Sequence, residues 1–163
     1  MSDYCVVLAD AARARIFTLE PAALPEMESG PNLTEYHDLV NPEMEQADKD
    51  LWSEMKSGRN RASSGAAHGY DDHREKHADE FVARFARQVA DDVVRVVNSR
   101  KAKHLVVLAE KRMLGFLRNT MGSGLNGVQV HEVAKNLSKL TTAELHNRLA
   151  QDGLLPKRQR PTG

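Results

Sequence analysis

Tyr4 to Ala9 is a continuous apolar run that stops at Asp10. A run this short and unbroken predicts a strand buried on both faces, with a polar residue at its C-terminal mouth. The apolar, β-prone segment Ala14 to Leu19 follows after only Asp10-Ala11-Ala12-Arg13. That connection is too short for a crossover, so the second strand is expected to return antiparallel beside the first. Pro21, Pro25, Gly30 and Pro31 punctuate the next stretch, and Leu33 to Val40 reads as a third, edge-like strand.

From Asn41 the apolar pattern lapses. The chain is acidic through Glu43, Glu45, Asp48, Asp50 and Glu54, then basic and small through Lys56, Gly58, Arg59, Arg61, Ser63, Ser64 and Gly65. This predicts a long mobile loop over about residues 41–70, with Trp52 and Met55 as its apolar anchors. Asp72 and Glu75 have the spacing of a capping box and predict a helix start. Phe81, Val82, Phe85, Ala86, Val89, Val93, Val96 and Val97 then recur at helical spacing as far as Asn98-Ser99. His104 to Ala109 reads as another buried strand, Lys111 to Met121 as a helix, and Gly122, Ser123, Gly124 and Gly127 as a turn. Val128 to Val133 alternates as a strand with one more exposed face, and Thr141 to Glu144 opens a last helix. The order predicts an α/β fold: a mixed, mostly parallel central sheet flanked by helices, with an N-terminal antiparallel hairpin. Residues 1–155 are expected to form one domain, and residues 156–163 a basic flexible tail.

Composition narrows the classes. At 163 residues the chain has room for one ordinary domain. Lys plus Arg equals Asp plus Glu at 23 each, so no global basic field argues for nucleic acid and any such case rests on local patches. The single cysteine, Cys5, excludes an internal disulfide and suits a reduced compartment. No cationic segment followed by a long apolar stretch opens the sequence, and no apolar run approaches a membrane span. A cytoplasmic protein without a membrane partner is the expectation.

Four groups of residues are candidates for chemistry. Asp10, Arg13 and Arg15 surround the end of a core strand, where α/β sheets commonly bind ligands, and either guanidinium suits a phosphate. The plainer alternative is that Asp10 caps the turn and pairs with Arg13. Lys111, Arg112 and Arg118 lie at and beyond a helix N-terminus that follows a core strand, a position suited to anions. Their alternative is a surface helix on which Arg118 makes a structural pair. His73 and His77 are four apart, with His68 and Asp71 near, which suggests a weak metal site; the spacing matches no closed zinc signature, and a solvated helix entrance is the simpler account. Arg59 and Arg61 in the loop and Lys157, Arg158 and Arg160 in the tail are candidates for nucleic acid, or for plain solubility. No nucleophile–base pair is visible, since Ser63 and Ser64 lack a strained elbow and Cys5 is expected to be buried. The sequence argues against an enzyme and implies no cofactor.

Four segments carry a family resemblance in combination. They are Val7-Leu8-Ala9-Asp10-Ala11-Ala12-Arg13-Ala14-Arg15-Ile16-Phe17; the stretch His68 to His77; Leu105 to Ala109 followed by Met113-Leu114-Gly115-Phe116-Leu117-Arg118; and Leu137-Ser138-Lys139-Leu140. Across nearly the whole chain they resemble the bacterial family of proteins required for attachment to host cells. That family is similar to the middle domain of archaeal and eukaryotic release factors, an α/β fold related to ribonuclease H. The resemblance implies that fold and a link to translation. The Gly-Gly-Gln tripeptide with which release factors hydrolyse peptidyl-tRNA is missing, as Gln46, Gln88, Gln129, Gln151 and Gln159 all stand in other contexts. The leading expectation is therefore a noncatalytic protein that interacts with RNA or the ribosome. A regulatory protein affecting attachment indirectly, through a protein or small-ligand partner, is the second. A metal-dependent hydrolase or nuclease is the third, and Asp10 and Glu110 are too few strand-end acids to assert it.

Overall fold

The computed structural model describes residues 3–43, 66–122 and 124–161, with the side chains of residues 66–78 outside that description. The elements run β1 (Tyr4–Ala9), β2 (Arg13–Glu20), β3 (Asn32–Val40), α1 (Ala66–Arg100), β4 (His104–Leu108), α2 (Lys111–Met121), β5 (Gln129–Val133) and α3 (Thr142–Gln151). The five strands form one sheet in the order β3-β2-β1-β4-β5. The expected hairpin is present, with β1 antiparallel to β2 from Cys5 opposite Thr18 to Ala9 opposite Ala14. The sheet is mixed and less parallel than the pattern suggested. β2–β3 is antiparallel as well, while β1–β4 and β4–β5 are parallel. The reason lies in the connections: β1, β2 and β3 are joined by segments without a helix, whereas β4 and β5 are each reached through one.

The apolar runs are continuous because both sheet faces are covered. Cys5, Val7, Ala9, Ala14, Ile16, Leu105 and Val107 face α1 and α2. Val6, Leu8, Phe17, Leu19, Val106 and Leu108 face the side of α3, against Leu145 and Leu149. On α1, Val82, Phe85, Ala86, Val89, Val93, Val96 and Val97 are all buried. Five of those seven are valines, which lose rotamer freedom in a helix, so packing on the sheet rather than intrinsic propensity holds this stretch helical.

α1 starts at Ala66, upstream of the predicted cap, so Asp72 lies inside the helix and residues 66–70 are helical where a loop was expected; residues 44–65 of that expected loop, with Trp52 and Met55, lie outside the described residues. Its far end is set by Lys101, which adopts a left-handed conformation at φ 55°. The Ala102 amide then donates to the Val97 carbonyl at 3.0 Å, which ends the helix and turns the chain into β4. At α3 the expected cap is made: Thr141 Oγ1 accepts from the Glu144 amide at 3.2 Å.

The segment expected to be a flexible tail is fastened at two points. Buried His146 places Nε2 2.9 Å from the Pro156 carbonyl. Gln159 and Gly30 exchange two backbone hydrogen bonds, of 2.8 and 3.1 Å. The sequence offered no signal for this, because a single antiparallel bridge needs only backbone groups. No helix among the described residues is long and apolar enough to cross a membrane.

Candidate functional site

The β1–β2 turn is built by Asp10. Its Oδ1 accepts from the amides of Ala12 at 2.8 Å and Arg13 at 2.7 Å, which fixes the carboxylate as a turn cap. Arg13 does not turn back to Asp10. It reaches across the sheet to Asp38 in a two-pronged pair, Nε to Oδ1 at 2.8 Å and Nη2 to Oδ2 at 2.6 Å. Arg15 makes the same kind of pair with Glu35, both contacts at 3.1 Å. It also donates to the Leu140 carbonyl at 3.3 Å and lies over the Phe17 ring at 4.9 Å.

A bulge in β3 makes this double pairing possible. Arg15 opposes Asp38 and Ile16 opposes His37, but Phe17 opposes Glu35, leaving Tyr36 as an extra residue. Without it, positions 35 and 38 would lie on opposite faces of the strand. With it, both carboxylates reach the α3 side, where Arg13 and Arg15 stand. The two pairs differ in setting. The Arg15 side chain is 14% exposed, whereas Arg13 and Asp38 are 53% and 40% exposed.

The hydrogen bonds from Arg13 hold the Asp38 carboxyl below the ordinary carboxylate range, and Asp38 in turn raises Arg13. A depressed folded-state value contributes stability that is present above the ordinary carboxylate range and is lost as pH falls through the folded value. For a pair this exposed the contribution is only ~0.5 kcal/mol. In a carboxyl-detected NMR titration Asp38 is expected to have a low midpoint, and Arg13→Ala is expected to move it upward. An unchanged midpoint in the variant would show that the pair does not persist in solution.

The second group resolves in the same direction. Arg112 pairs with Asp79 of α1. Arg118 grips Glu132 of β5 with both prongs, Nε to Oε1 at 2.9 Å, tying α2 to the sheet edge and lowering Glu132. Lys111 is exposed at the head of α2, and Glu110 makes no side-chain cap there. Lys157, Arg158 and Arg160 are exposed around the fastened Gln159. Arg59 and Arg61 lie outside the described residues, as do the side chains of His68, Asp71, His73 and His77. Among the described residues no group of three His, Cys, Asp or Glu is placed to hold a metal ion.

Sequence reasoning missed the four carboxylates that receive these arginines: Glu35, Asp38, Asp79 and Glu132. It also missed a row of rings across three strands on the α3 side of the sheet. Tyr4 stacks on His104 at 4.6 Å between centroids, and His104 stacks on His131 at 6.3 Å. The period-two alternation of β5 puts His131 on that face and was the available signal. What the arrangement can do chemically is limited by these pairings. Arg13, Arg15 and Arg118 have their forks filled by carboxylates, so an anion there has to displace an internal partner.

Comparison with known proteins agrees with the architecture. A model of the family described as "protein required for attachment to host cells" matches residues 5–149. No curated protein matches the chain. Among solved structures, a chain in the cryo-EM structure of a CRISPR-Cas12f ternary complex is similar at 10% identity, with a TM-score of 0.50. The match covers 96% of this chain and 36% of that one, and at such identity it reflects the fold alone.

Proposed function

The chain belongs to the family of proteins required for attachment to host cells, and from that premise we propose that it promotes attachment as a noncatalytic regulatory protein acting through a protein partner inside the cell. The observation that carries this reading is the internal commitment of Arg13, Arg15, Arg112 and Arg118 to Asp38, Glu35, Asp79 and Glu132. A surface that reads polyanions keeps its guanidiniums available, because phosphate contacts supply most of the affinity. Here they hold β3, α1 and β5 in place. The partner engages the end of the sheet formed by the Asp10 turn and Lys111, where the parallel strands finish.

A second reading, interaction with RNA or the ribosome, is favoured by one feature. Lys157, Arg158 and Arg160 project from a tail that Gly30 and His146 hold in place, so three cations occupy a defined surface. The release-factor-like, ribonuclease H-like assignment of the fold belongs with this reading. It is supported by an antiparallel β1–β2–β3 meander joined to β4 and β5, which run parallel to β1 after helical crossovers.

Sedimentation of the tagged protein from native lysate through sucrose, at low and high salt, separates the two readings. The protein-partner proposal expects migration away from ribosomal fractions at both salt concentrations. Salt-sensitive migration with ribosomes, lost on replacing Lys157, Arg158 and Arg160, supports the second reading instead. Recovery of the protein from the envelope or culture medium would overturn the intracellular placement.

A further inference from the structure

Both outer strands of the sheet are exposed, and they differ in how they are finished. β3 carries the Tyr36 bulge, which breaks its register with β2 in mid-strand. Bulges and charges are the usual means by which an edge discourages pairing with another chain. β5 has neither bulge nor proline nor lysine, and its register with β4 runs unbroken from Gln129 to Val133.

The direction of its backbone groups follows from two hydrogen bonds. The Gln129 amide donates inward to Lys103 at 2.8 Å, and the Val133 carbonyl accepts inward from Ala109 at 3.2 Å. Alternation along a strand then turns Gln129, His131 and Val133 toward β4, and Val130 and Glu132 outward. The outward amides and carbonyls of Val130 and Glu132 make no hydrogen bond among the described residues. Val130 is 40% exposed, and Gln129, His131 and Glu132 are exposed with it.

We propose that β5 is a self-association edge, pairing antiparallel with β5 of a second copy about a two-fold axis at His131. In that register Val130 of one copy opposes Glu132 of the other, twice. All four outward-facing residues thereby exchange their N–H and C=O groups, and none is left over. A two-fold contact needs such self-complementarity, and this five-residue edge supplies it. Side chains agree with it on both faces. On the α2 side, Glu132 arrives at the opposing Val130 with its charge already matched by Arg118. On the α3 side, His131 meets its own copy at a close, non-hydrogen-bonded position. The row Tyr4, His104, His131 thus continues across the axis into a second such row. The result is a continuous ten-stranded sheet. The inference rests on β5 alone and does not depend on the partner proposed above. Ten paired residues make a small interface, so the dimer is expected to form reversibly with concentration.

Sedimentation velocity from low micromolar to several hundred micromolar protein tests it. The wild type is expected to shift from monomer to dimer, and Val130→Pro to stay monomeric with an unchanged circular dichroism spectrum. Proline at 130 deletes an outward N–H only and leaves the β4 ladder intact. His131→Lys keeps every backbone group and sets two ammonium groups face to face, so it is expected to be monomeric too, which secures the test should the proline variant unfold. A wild type that is monomeric throughout, or a dimer that survives His131→Lys, would overturn the proposal.

Discussion

Phe85→Ala is expected to lower the free energy of unfolding by about 3–5 kcal/mol. Phe85 is 2% exposed and belongs to the cluster that joins α1 to Val7, Ile16, Leu105 and Val107. Its ring is among the largest fully enclosed side chains there, in a layer made mainly of valine, alanine and leucine with Ile16, Met113 and Met121. Valine and alanine neighbours are too short to swing into the space a phenyl ring leaves, so most of the cavity should remain. The loss is a large share of the ~5–15 kcal/mol that holds a typical domain together. In thermal unfolding followed by circular dichroism it corresponds to a fall in Tm on the order of 10 °C. Arg87→Ala, on the exposed face of the same helix, is the control and should change little. If Phe85→Ala costs no more than this control, α1 does not pack on the sheet in solution as described.

The layer structure was legible because each element met its own rule. β1 and β4 are short, unbroken apolar runs, and both proved buried on two faces. The seven inward residues of α1 recur at helical spacing, and the three-residue link from Ala9 to Arg13 permits only a hairpin. The start of α1 was not legible in the same way. Asp72 and Glu75 have the spacing of a capping box, and that pattern inside a helix looks the same in sequence as one at its start.

The candidate site was harder to read for a different reason. Arg13 and Asp38 are 25 residues apart, and Arg118 and Glu132 are 14 apart. Pairing them requires knowing which strands are neighbours and in what register. For Asp38 and Glu35 it also requires the extra residue at Tyr36, since a strand without a bulge sends one of the two away. An arginine read without its register looks like a free ligand arm. The capping role of Asp10 was legible because both amides its carboxylate accepts from lie within three residues. The edge chemistry of β5 was invisible until the Gln129 and Val133 hydrogen bonds fixed which backbone groups face out.

Cys5 is expected to resist thiol reagents in the folded protein and to make folding stability fall in alkali. It is 1% exposed between Thr18 of β2 and Leu105 of β4, and burial pushes its thiol up from an ordinary 9.0 to about 12. Below pH 9 the thiolate fraction, which is the reactive form, is then about a thousand-fold lower than for a free cysteine. Steric enclosure adds to this, so modification by a disulfide reagent should proceed only through unfolding and keep pace with it. Fast labelling in native buffer would mean that β1 opens locally. The same burial sets a pH dependence. The folded-state value lies above the unfolded one, so the stabilisation is complete below about pH 9 and declines from there through the folded value, because only the unfolded chain releases the proton. The slope approaches ~1.4 kcal/mol lost per pH unit. Urea unfolding at pH 8 and pH 10 should show that loss in the wild type, while Cys5→Ala, starting from a lower stability, should lack the share due to the thiol. An equal alkaline loss in both proteins would assign it to other groups, such as the tyrosines and lysines.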